Sequence, residues 1–141
     1  DVCIGADVII GFPGETQEEF NKTLNFIKDL PLSYLHVFTY SERENTPAID
    51  MDGIVSKSDR ADRSKQLRIL SNKLQRAFYE KYLNTEHTAL FEQEDKDGFL
   101  LGFTDNYIKI KIPFGDDYCR TKQQVKLLEI DDDGIMKAEL L

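Results

Sequence analysis

The segment from Val8 to Thr16 carries the residue types that most directly suggest binding chemistry. An apolar run, Val8-Ile9-Ile10, leads into Gly11-Phe12-Pro13-Gly14-Glu15-Thr16. A glycine at the carboxyl end of a parallel strand lets a ligand approach the backbone without meeting a Cβ atom. Ligands of α/β folds bind at that end of the sheet. Taken alone, the pattern is also typical of an ordinary strand–turn–helix junction with Pro13-Gly14 as its turn.

Side chains that bind metals or act as nucleophiles are scarce. The chain has two cysteines, Cys3 and Cys119, too few for the four-thiolate ligand set of an iron–sulfur cluster. With His36 and His87 they do not form a metal-ligand spacing, and we find no Ser-His-Asp or Cys-His arrangement. The sequence predicts no metal site and no catalytic residue in this chain. We expect each cysteine to be a small buried hydrophobe or an idle thiol in a reducing cytoplasm.

The charge of the chain is uneven along its length. The total is −8, but residues 55–85 hold eight basic and three acidic residues, while 1–54 and 86–141 are acidic. The middle segment is predicted to be one long helix, 55–83, with an apolar stripe formed by Leu67, Leu70, Leu74, Ala77 and Phe78. Phosphate binding requires a locally positive face, not a positive total. Either a solvated helix face or an RNA-backbone contact would explain the basic residues Arg60, Arg63, Lys65, Arg68, Lys73, Arg76 and Lys81.

The elements that would position the glycine-containing segment form a β/α region. Ala6–Ile10 is an apolar run typical of a strand that is covered on both faces. Thr16 and Glu19 indicate a capping box at the start of a helix, which Pro31 ends. Leu35–Tyr40 is predicted to be the next strand. Strand, helix and strand in this order predict a right-handed unit with two adjacent parallel strands.

The last region is predicted to be all β. Short strands separated by turns favour a small closed barrel, because closure removes exposed sheet edges. The predicted turns include Asp95–Gly98, Thr104–Asn106 and Asp131–Gly134. The five predicted strands are His87–Gln93, Phe99–Phe103, Tyr107–Ile112, Val125–Ile130 and Ile135–Leu141.

Strict alternation along Tyr107–Ile112 assigns its side chains to two faces. The isoleucines are expected to fill the barrel, which leaves Tyr107, Lys109 and Lys111 facing outward. An aromatic ring beside two lysines suits single-stranded RNA, because the ring stacks on a base while the cations meet phosphates. Arg68 and Arg76 of the long helix are predicted to extend this RNA-binding surface.

Three stretches of the chain together resemble one known family. Gly11-Phe12-Pro13-Gly14-Glu15-Thr16, before an acidic helix start, resembles a late-strand motif of radical-SAM barrels. Ser41-Glu42-Arg43-Glu44-Asn45-Thr46-Pro47-Ala48 is similar to the Tyr-Ser-x-Arg-x-Gly-Thr-x-Ala stretch of radical-SAM tRNA methylthiotransferases. Two positions depart from that stretch, since Glu44 stands where proline is common and Asn45 where glycine is common. Leu101-Gly102-Phe103-Thr104-Asp105-Asn106-Tyr107-Ile108-Lys109-Ile110 resembles the RNA-binding TRAM barrel, and its Thr-Asp-Asn-Tyr run is closest to MtaB-type enzymes, which methylthiolate threonylcarbamoyladenosine in tRNA.

The resemblance implies an architecture and a set of cofactors. It implies an α/β region followed by an all-β region. Residues 1–85 would be the C-terminal part of a radical-SAM β/α barrel with its long helix, and residues 86–141 would form a five-stranded TRAM barrel. The intact enzyme would use S-adenosyl-L-methionine (SAM) and 4Fe-4S clusters bound outside this chain, and the chain alone would be inactive. The residues implied to line the SAM adenosine are Ile9, Gly11, Phe38, Tyr40 and Ser41.

The expected partners are tRNA and SAM. We expect the protein to be cytoplasmic and not to associate with a membrane. A broken barrel exposes strand edges, so we also expect a dimer through the truncated edge. Two alternatives remain open at this point: a radical-SAM enzyme with another class of substrate, and an RNA-binding module without catalytic activity.

Overall fold

The computed structural model describes residues 2–94 and 97–141, and the chain forms two compact units. One unit is Ile4–Gln75; the other combines Arg76–Leu141 with the first residues of the chain. Two residues of the predicted Asp95–Gly98 turn, at positions 95 and 96, lie outside the described residues.

The first unit contains the predicted parallel pair of strands. Strand β1 (Gly5–Ile10) pairs with β2 (Tyr34–Thr39) in parallel, and helix α1 (Gln17–Asp29) connects them. The parallel pairing confirms the sequence prediction. The Thr16 hydroxyl caps α1 by accepting a hydrogen bond from the Glu19 amide at 3.2 Å. The Glu19 carboxylate instead accepts a hydrogen bond from Lys22, so the reciprocal bond of a capping box is replaced by an exposed ion pair.

Helix α2 (Lys57–Glu80) covers one face of this sheet. Its apolar side packs with α1 and the strands around a core formed by Ile10, Phe20, Ile27, Leu35 and Leu67. The opposite face of the sheet is open: Ile9 is 60% exposed and Phe38 is 51% exposed. The prediction that β1 is covered on both faces is therefore wrong for the described residues. A short 3₁₀ helix, Pro47–Asp50, lies between β2 and α2.

The second unit is a small closed barrel, as the sequence predicts. Its strands are β3 (Glu86–Glu94), β4 (Phe99–Thr104), β5 (Lys109–Pro113), β6 (Lys122–Ile130) and β7 (Met136–Leu140), with a 3₁₀ helix at Asp116–Tyr118. The strands close in the order β3-β4-β5-β7-β6, and only the β5–β7 pair among these is parallel. The predicted isoleucines fill the interior with other apolar side chains, including Leu100, Ile108, Ile110, Ile112 and Leu127.

The turn between β4 and β5 differs from the prediction. Strand β5 begins at Lys109, not at Tyr107, because Tyr107 adopts the left-handed conformation with φ of 68°. The Thr104 hydroxyl accepts a hydrogen bond from the Ile108 amide at 2.8 Å, and the Tyr107 amide donates to the Thr104 carbonyl at 2.9 Å. These bonds close a tight loop that presents Tyr107 at the surface, while the alternation of the following residues is kept.

Candidate functional site

The residues predicted to line the SAM adenosine lie at or just beyond the carboxyl ends of β1 and β2. Ile9 and Phe38 are partners in the strand register and share the open face of the sheet. Tyr40 and Ser41 instead follow β2 and border a groove beside α2. The five positions are thus distributed over two neighbouring surfaces of one unit, with Gly11 buried between the end of β1 and α2.

Gly11 is required by its own surroundings. Its φ is +76°, a conformation that favours glycine, and its amide donates a hydrogen bond to the Glu15 carboxylate at 3.0 Å. A Cβ atom added to Gly11 would lie 2.5 Å from Cγ of Arg60. The position of Arg60 alone therefore explains why glycine stands here, and the approach of a ligand to Gly11 stays a prediction.

The buried Arg60 side chain forms hydrogen bonds to the segment that follows β2. Its Nε donates to the Val55 carbonyl at 2.9 Å, and one guanidinium nitrogen donates to the Tyr40 carbonyl at 3.1 Å. The guanidinium also meets both oxygens of the Glu42 carboxylate, at 2.6 and 3.2 Å. Such a bidentate pair fixes orientation as well as charge. Arg60 thus holds the first residues after β2 in place.

Arg63 performs the same role for the segment that follows β1. A guanidinium nitrogen donates to the Glu15 carbonyl at 2.8 Å and to its carboxylate at 2.6 Å. Because this carboxylate also accepts the Gly11 amide, one buried ion pair fixes the whole turn. The Arg63 guanidinium lies over the Phe20 ring, 5.5 Å from its centroid.

The inclusion of Arg60 and Arg63 in a solvated basic face is wrong, since both are buried. The sequence did contain a signal. The apolar stripe of α2, extended toward the helix N-terminus at the same spacing, reaches Ser64 or Arg63 and then Arg60. An arginine on the core side of a helix requires a carboxylate partner, and Glu15 and Glu42 both lie in segments that follow strands.

The Arg60–Glu42 pair should make the stability of the Ile4–Gln75 unit depend on pH in the acidic range. Hydrogen bonds from Arg60 lower the pKa of Glu42 from 4.5 to about 2. Because the folded-state pKa is the lower one, the stabilisation is complete above the unfolded pKa and is lost as the pH falls from 4.5 to about 2. We expect Glu42→Gln to lower the melting temperature near neutral pH, and the difference from the parent to shrink across that acidic window.

Circular dichroism melts across the acidic range measure this difference. Glu44→Gln is the matched control, because Glu44 is exposed in the same loop and forms no ion pair within the described residues. A Glu42→Gln deficit that stays constant with pH would contradict the assignment.

A groove runs along α2 beside the carboxyl end of β2, entirely within the Ile4–Gln75 unit. Its volume is about 710 Å³. Tyr40 and Ser41 line it, as does Arg68, which was predicted to bind RNA. The Tyr40 ring is covered on one side by the Arg60 guanidinium and meets the Phe12 ring edge to face at 5.3 Å.

The barrel presents a separate aromatic and cationic surface. The Phe103 ring of β4 stacks on Tyr107, with centroids 4.9 Å apart and an interplanar angle of 21°. Lys109 is the register partner of Phe103, so a cation lies next to this stack on the outer face. Phe103 was missed by sequence reasoning, although its outward position follows from the alternation of β4.

Lys111 differs from Lys109, and the prediction that its side chain is freely exposed is wrong. The Lys111 side chain is only 12% exposed and pairs with Asp131, which is 9% exposed. It also lies over the Phe99 ring, 4.6 Å from the centroid. Burial opposes ionisation of Asp131, but Lys111 and the backbone amide of Ile135 outweigh it and hold the pKa of Asp131 below its ordinary value. Lys111 therefore stabilises the barrel, and a phosphate would have to compete with Asp131.

The two arginines predicted to extend the RNA surface lie in different units. Arg68 is exposed on α2 in the Ile4–Gln75 unit. Arg76 is in the barrel unit, where it forms an exposed pair with Glu80 at 2.9 Å. Glu80 offsets part of the charge of Arg76, so Arg68 is the stronger candidate for a phosphate contact.

Residues 2–94 and 97–141 contain no group of three histidine, cysteine or acidic side chains arranged to hold a metal ion. The residues present therefore do not fit an iron–sulfur cluster. Nor does any helix of that described part have the length and apolar character needed to cross a bilayer.

Comparison with curated proteins identifies the family. The chain is 36% identical over 91% of its length to threonylcarbamoyladenosine tRNA methylthiotransferase MtaB of Bacillus subtilis, and 41% identical over 77% to the MtaB protein of Aquifex aeolicus. It is 34% identical over 85% to tRNA-2-methylthio-N(6)-dimethylallyladenosine synthase of Symbiobacterium thermophilum. The chain spans 29%, 25% and 26% of the lengths of these three relatives. No protein-family model matches it. The chain belongs to the tRNA methylthiotransferase family, as the resemblance predicted.

Proposed function

We propose that the chain is the C-terminal portion of a cytoplasmic enzyme that methylthiolates N6-threonylcarbamoyladenosine next to the anticodon of tRNA, using SAM radical chemistry. The observation that carries the substrate is the match to MtaB proteins of several bacteria, including 41% identity to one of them. In this proposal residues 1–85 belong to the radical-SAM barrel and 86–141 form a TRAM barrel. The five-stranded closure of the second unit supports the latter.

The first unit would supply part of the SAM pocket. The exposed apolar pair Ile9 and Phe38 suits the faces of an adenine ring, because both side chains lie near the carboxyl edge of the parallel strands. Tyr40 and Ser41 would offer backbone groups to the adenine edge, while Gly11 lets the clamped turn form. SAM supplies the radical and the methyl group when bound, and the 4Fe-4S clusters would be held outside this chain.

The second unit would supply RNA contacts. The stacked rings of Phe103 and Tyr107 form a platform for an unpaired base, and Lys109 lies beside it to meet a phosphate. The unpaired edges of the two-stranded β1–β2 sheet support the proposed dimer through the truncated barrel edge.

The identity of the modified nucleoside tests this proposal directly. The complete gene that contains this sequence is expressed in a bacterium whose own methylthiotransferases are deleted, and tRNA nucleosides are analysed by mass spectrometry. We expect the 2-methylthio derivative of threonylcarbamoyladenosine. Its absence, with the protein present and its clusters assembled, would overturn the proposal.

A second candidate is methylthiolation of N6-dimethylallyladenosine. The specific observation in its favour is the 34% identity to the Symbiobacterium thermophilum synthase of that class. The same mass spectrum decides between the two, because the side chains on the adenosine differ in mass. Appearance of the dimethylallyl derivative alone would transfer the chain to this second branch.

A further inference from the structure

The groove beside α2 begins at Tyr40 and Ser41, which also border the proposed SAM pocket, and continues along α2 past residues that neither the SAM proposal nor the barrel surface uses. It is open along one side of α2 and lies within a single compact unit. Its polar lining is rich in hydrogen-bond donors: Ser41, Lys57, Ser64, Lys65, Arg68 and Asn72.

The charge of this groove is locally positive in an acidic chain. Glu42 is the acidic side chain in its described lining, and the bidentate bond to Arg60 neutralises it. Lys57, Lys65 and Arg68 have no carboxylate within ion-pairing distance among the described residues. Three cations without an ion-pair partner among the described residues therefore face one groove, while the chain as a whole carries −8; of these, Lys57 also interacts with the Glu42 carboxylate through space. Salt screens the repulsion between a bound phosphate and the acidic residues elsewhere in the chain beyond about 10 Å at 0.1 M salt.

The cations form a row and not a single pocket. Lys57, Lys65 and Arg68 lie on one side of α2, and the last is eleven positions after the first, which corresponds to roughly 16 Å along the helix. A single small anion occupies one end of such a row. A strand with repeated phosphates contacts its full length.

The polar side chains of the groove suit contacts to a nucleic-acid backbone. The Arg60 guanidinium covers one face of the Tyr40 ring, and Phe12 meets the ring in a T-shaped contact, so these two neighbours already take part of the surface that a base would need for stacking. Lysine, arginine, serine and asparagine are the usual donors to phosphate and sugar oxygens, contacts that position a strand without reading its sequence. We propose that this groove binds the sugar–phosphate backbone of an RNA strand. The inference rests on the proposed function, in which the chain acts on tRNA.

Neutralising two cations of the groove should change the salt dependence of RNA binding by a calculable amount. Each phosphate contact to a single strand contributes about 0.7 to the slope of log K against log salt concentration. Lys65→Gln with Arg68→Gln should therefore reduce that slope by about 1.4 for a short oligouridylate, measured by fluorescence anisotropy with the 141-residue chain. Both side chains are exposed, so the fold should be retained, which circular dichroism verifies.

The matched control neutralises two cations of the same unit outside the groove. Lys28 on α1 and Lys73 on α2 are exposed, and neither lines the groove. Lys28→Gln with Lys73→Gln carries the same net charge as the groove variant and should keep the parent slope. Equal slopes for the two double variants would overturn the proposal, because a general charge effect would then explain the binding.

Three further outcomes separate this inference from the proposed function. If the parent binds RNA and only Lys109→Gln weakens it, the groove assignment fails and the barrel surface stands. If the parent binds no RNA at any salt concentration, the groove assignment and the barrel RNA surface both fail, while the modified nucleoside in tRNA still decides the proposed function. If polyglutamate displaces the oligouridylate as well as unlabelled RNA does, the groove is a general polyanion site and the RNA assignment fails.

Discussion

Replacing Arg63 with alanine should lower the free energy of unfolding of the Ile4–Gln75 unit by about 3–5 kcal/mol, the usual effect of removing one partner of a buried ion pair. Arg63 is 5% exposed and Glu15 is 14% exposed, so water cannot replace the lost guanidinium easily. The substitution leaves the Glu15 carboxylate with only the Gly11 amide among its present donors. The turn after β1 should therefore lose its geometry together with its stability.

Urea unfolding followed by circular dichroism, with amide hydrogen exchange to locate the change, measures this effect. Lys22→Ala is the matched control, since Lys22 on α1 of the same unit forms only exposed pairs, with Glu18 and Glu19, and should change the stability little. Faster exchange at Gly11 in Arg63→Ala is the expected local signature.

A double variant separates the ion pair from general packing. Arg63→Met with Glu15→Gln removes both charges while keeping similar volumes, and such replacements are often close to neutral. We expect it to recover most of the stability lost in Arg63→Ala. If Arg63→Ala destabilises no more than Lys22→Ala, the pair does not fix the turn.

Local patterns in the sequence predicted the main helices and strands, although not the two 3₁₀ helices or the start of β5. Period-two alternation identified the inward isoleucines of β5, and the parallel pair followed from a strand, a capped helix and a second strand. The Asp131–Gly134 turn formed because Gly134 adopts a φ of 78° and its amide donates to the Asp131 carbonyl. All these rules act over a few residues, which is why a single sequence reveals them.

The exposure of charged residues was not predictable in the same way. Arg63 lies 48 positions from Glu15, and Lys111 lies on a different strand from the turn that holds Asp131. Whether such a cation is solvated or buried depends on which carboxylate the fold brings to it. Periodicity assigned Lys109 and Lys111 to the same outer face correctly, but only one of them is available to a ligand.

The sequence indicated which end of the strands would carry the candidate site, but not the shape of the groove there. The carboxyl ends of the strands were expected to carry it, and Gly11, Tyr40 and Ser41 do lie there. The groove beside α2 could not be inferred, because its width depends on how α2 crosses the end of β2. Its cations were visible only as part of a basic helix.

Lys111→Glu should unfold the barrel and not merely remove an RNA contact. The change places a second carboxylate against Asp131, which is 9% exposed, and removes its cation. The loss of about 3–5 kcal/mol or more is comparable to the whole stability expected for a unit of this size, about 3–10 kcal/mol. Thermal unfolding by circular dichroism should show the loss, and a folded Lys111→Glu barrel would contradict the structural role.

Lys111→Met with Asp131→Asn isolates the role of the charge at this position. Both charges disappear together, the aliphatic stem still covers the Phe99 ring, and the amide oxygen of the introduced asparagine can still accept from the Ile135 amide. We expect this double variant to fold and to bind an anticodon stem-loop RNA with nearly the affinity of the parent. Strong loss of binding in the folded double variant would return Lys111 to the RNA surface.

Lys109→Glu should have the opposite profile: a folded barrel with RNA binding reduced at least tenfold at low salt. The Lys109 side chain forms no ion pair within the described residues, so reversal of its charge leaves no buried partner unsatisfied. It does reverse the potential beside the Phe103–Tyr107 stack, where a phosphate would lie while its base stacks on Tyr107. Tyr107→Ala should weaken binding in a way that salt does not change, because stacking of one base contributes about 1–3 kcal/mol without a counterion. If Lys109→Glu melts like the parent and still binds the stem-loop with unchanged affinity, the outer face of β5 is a solvated strand and the RNA contacts of the barrel lie elsewhere.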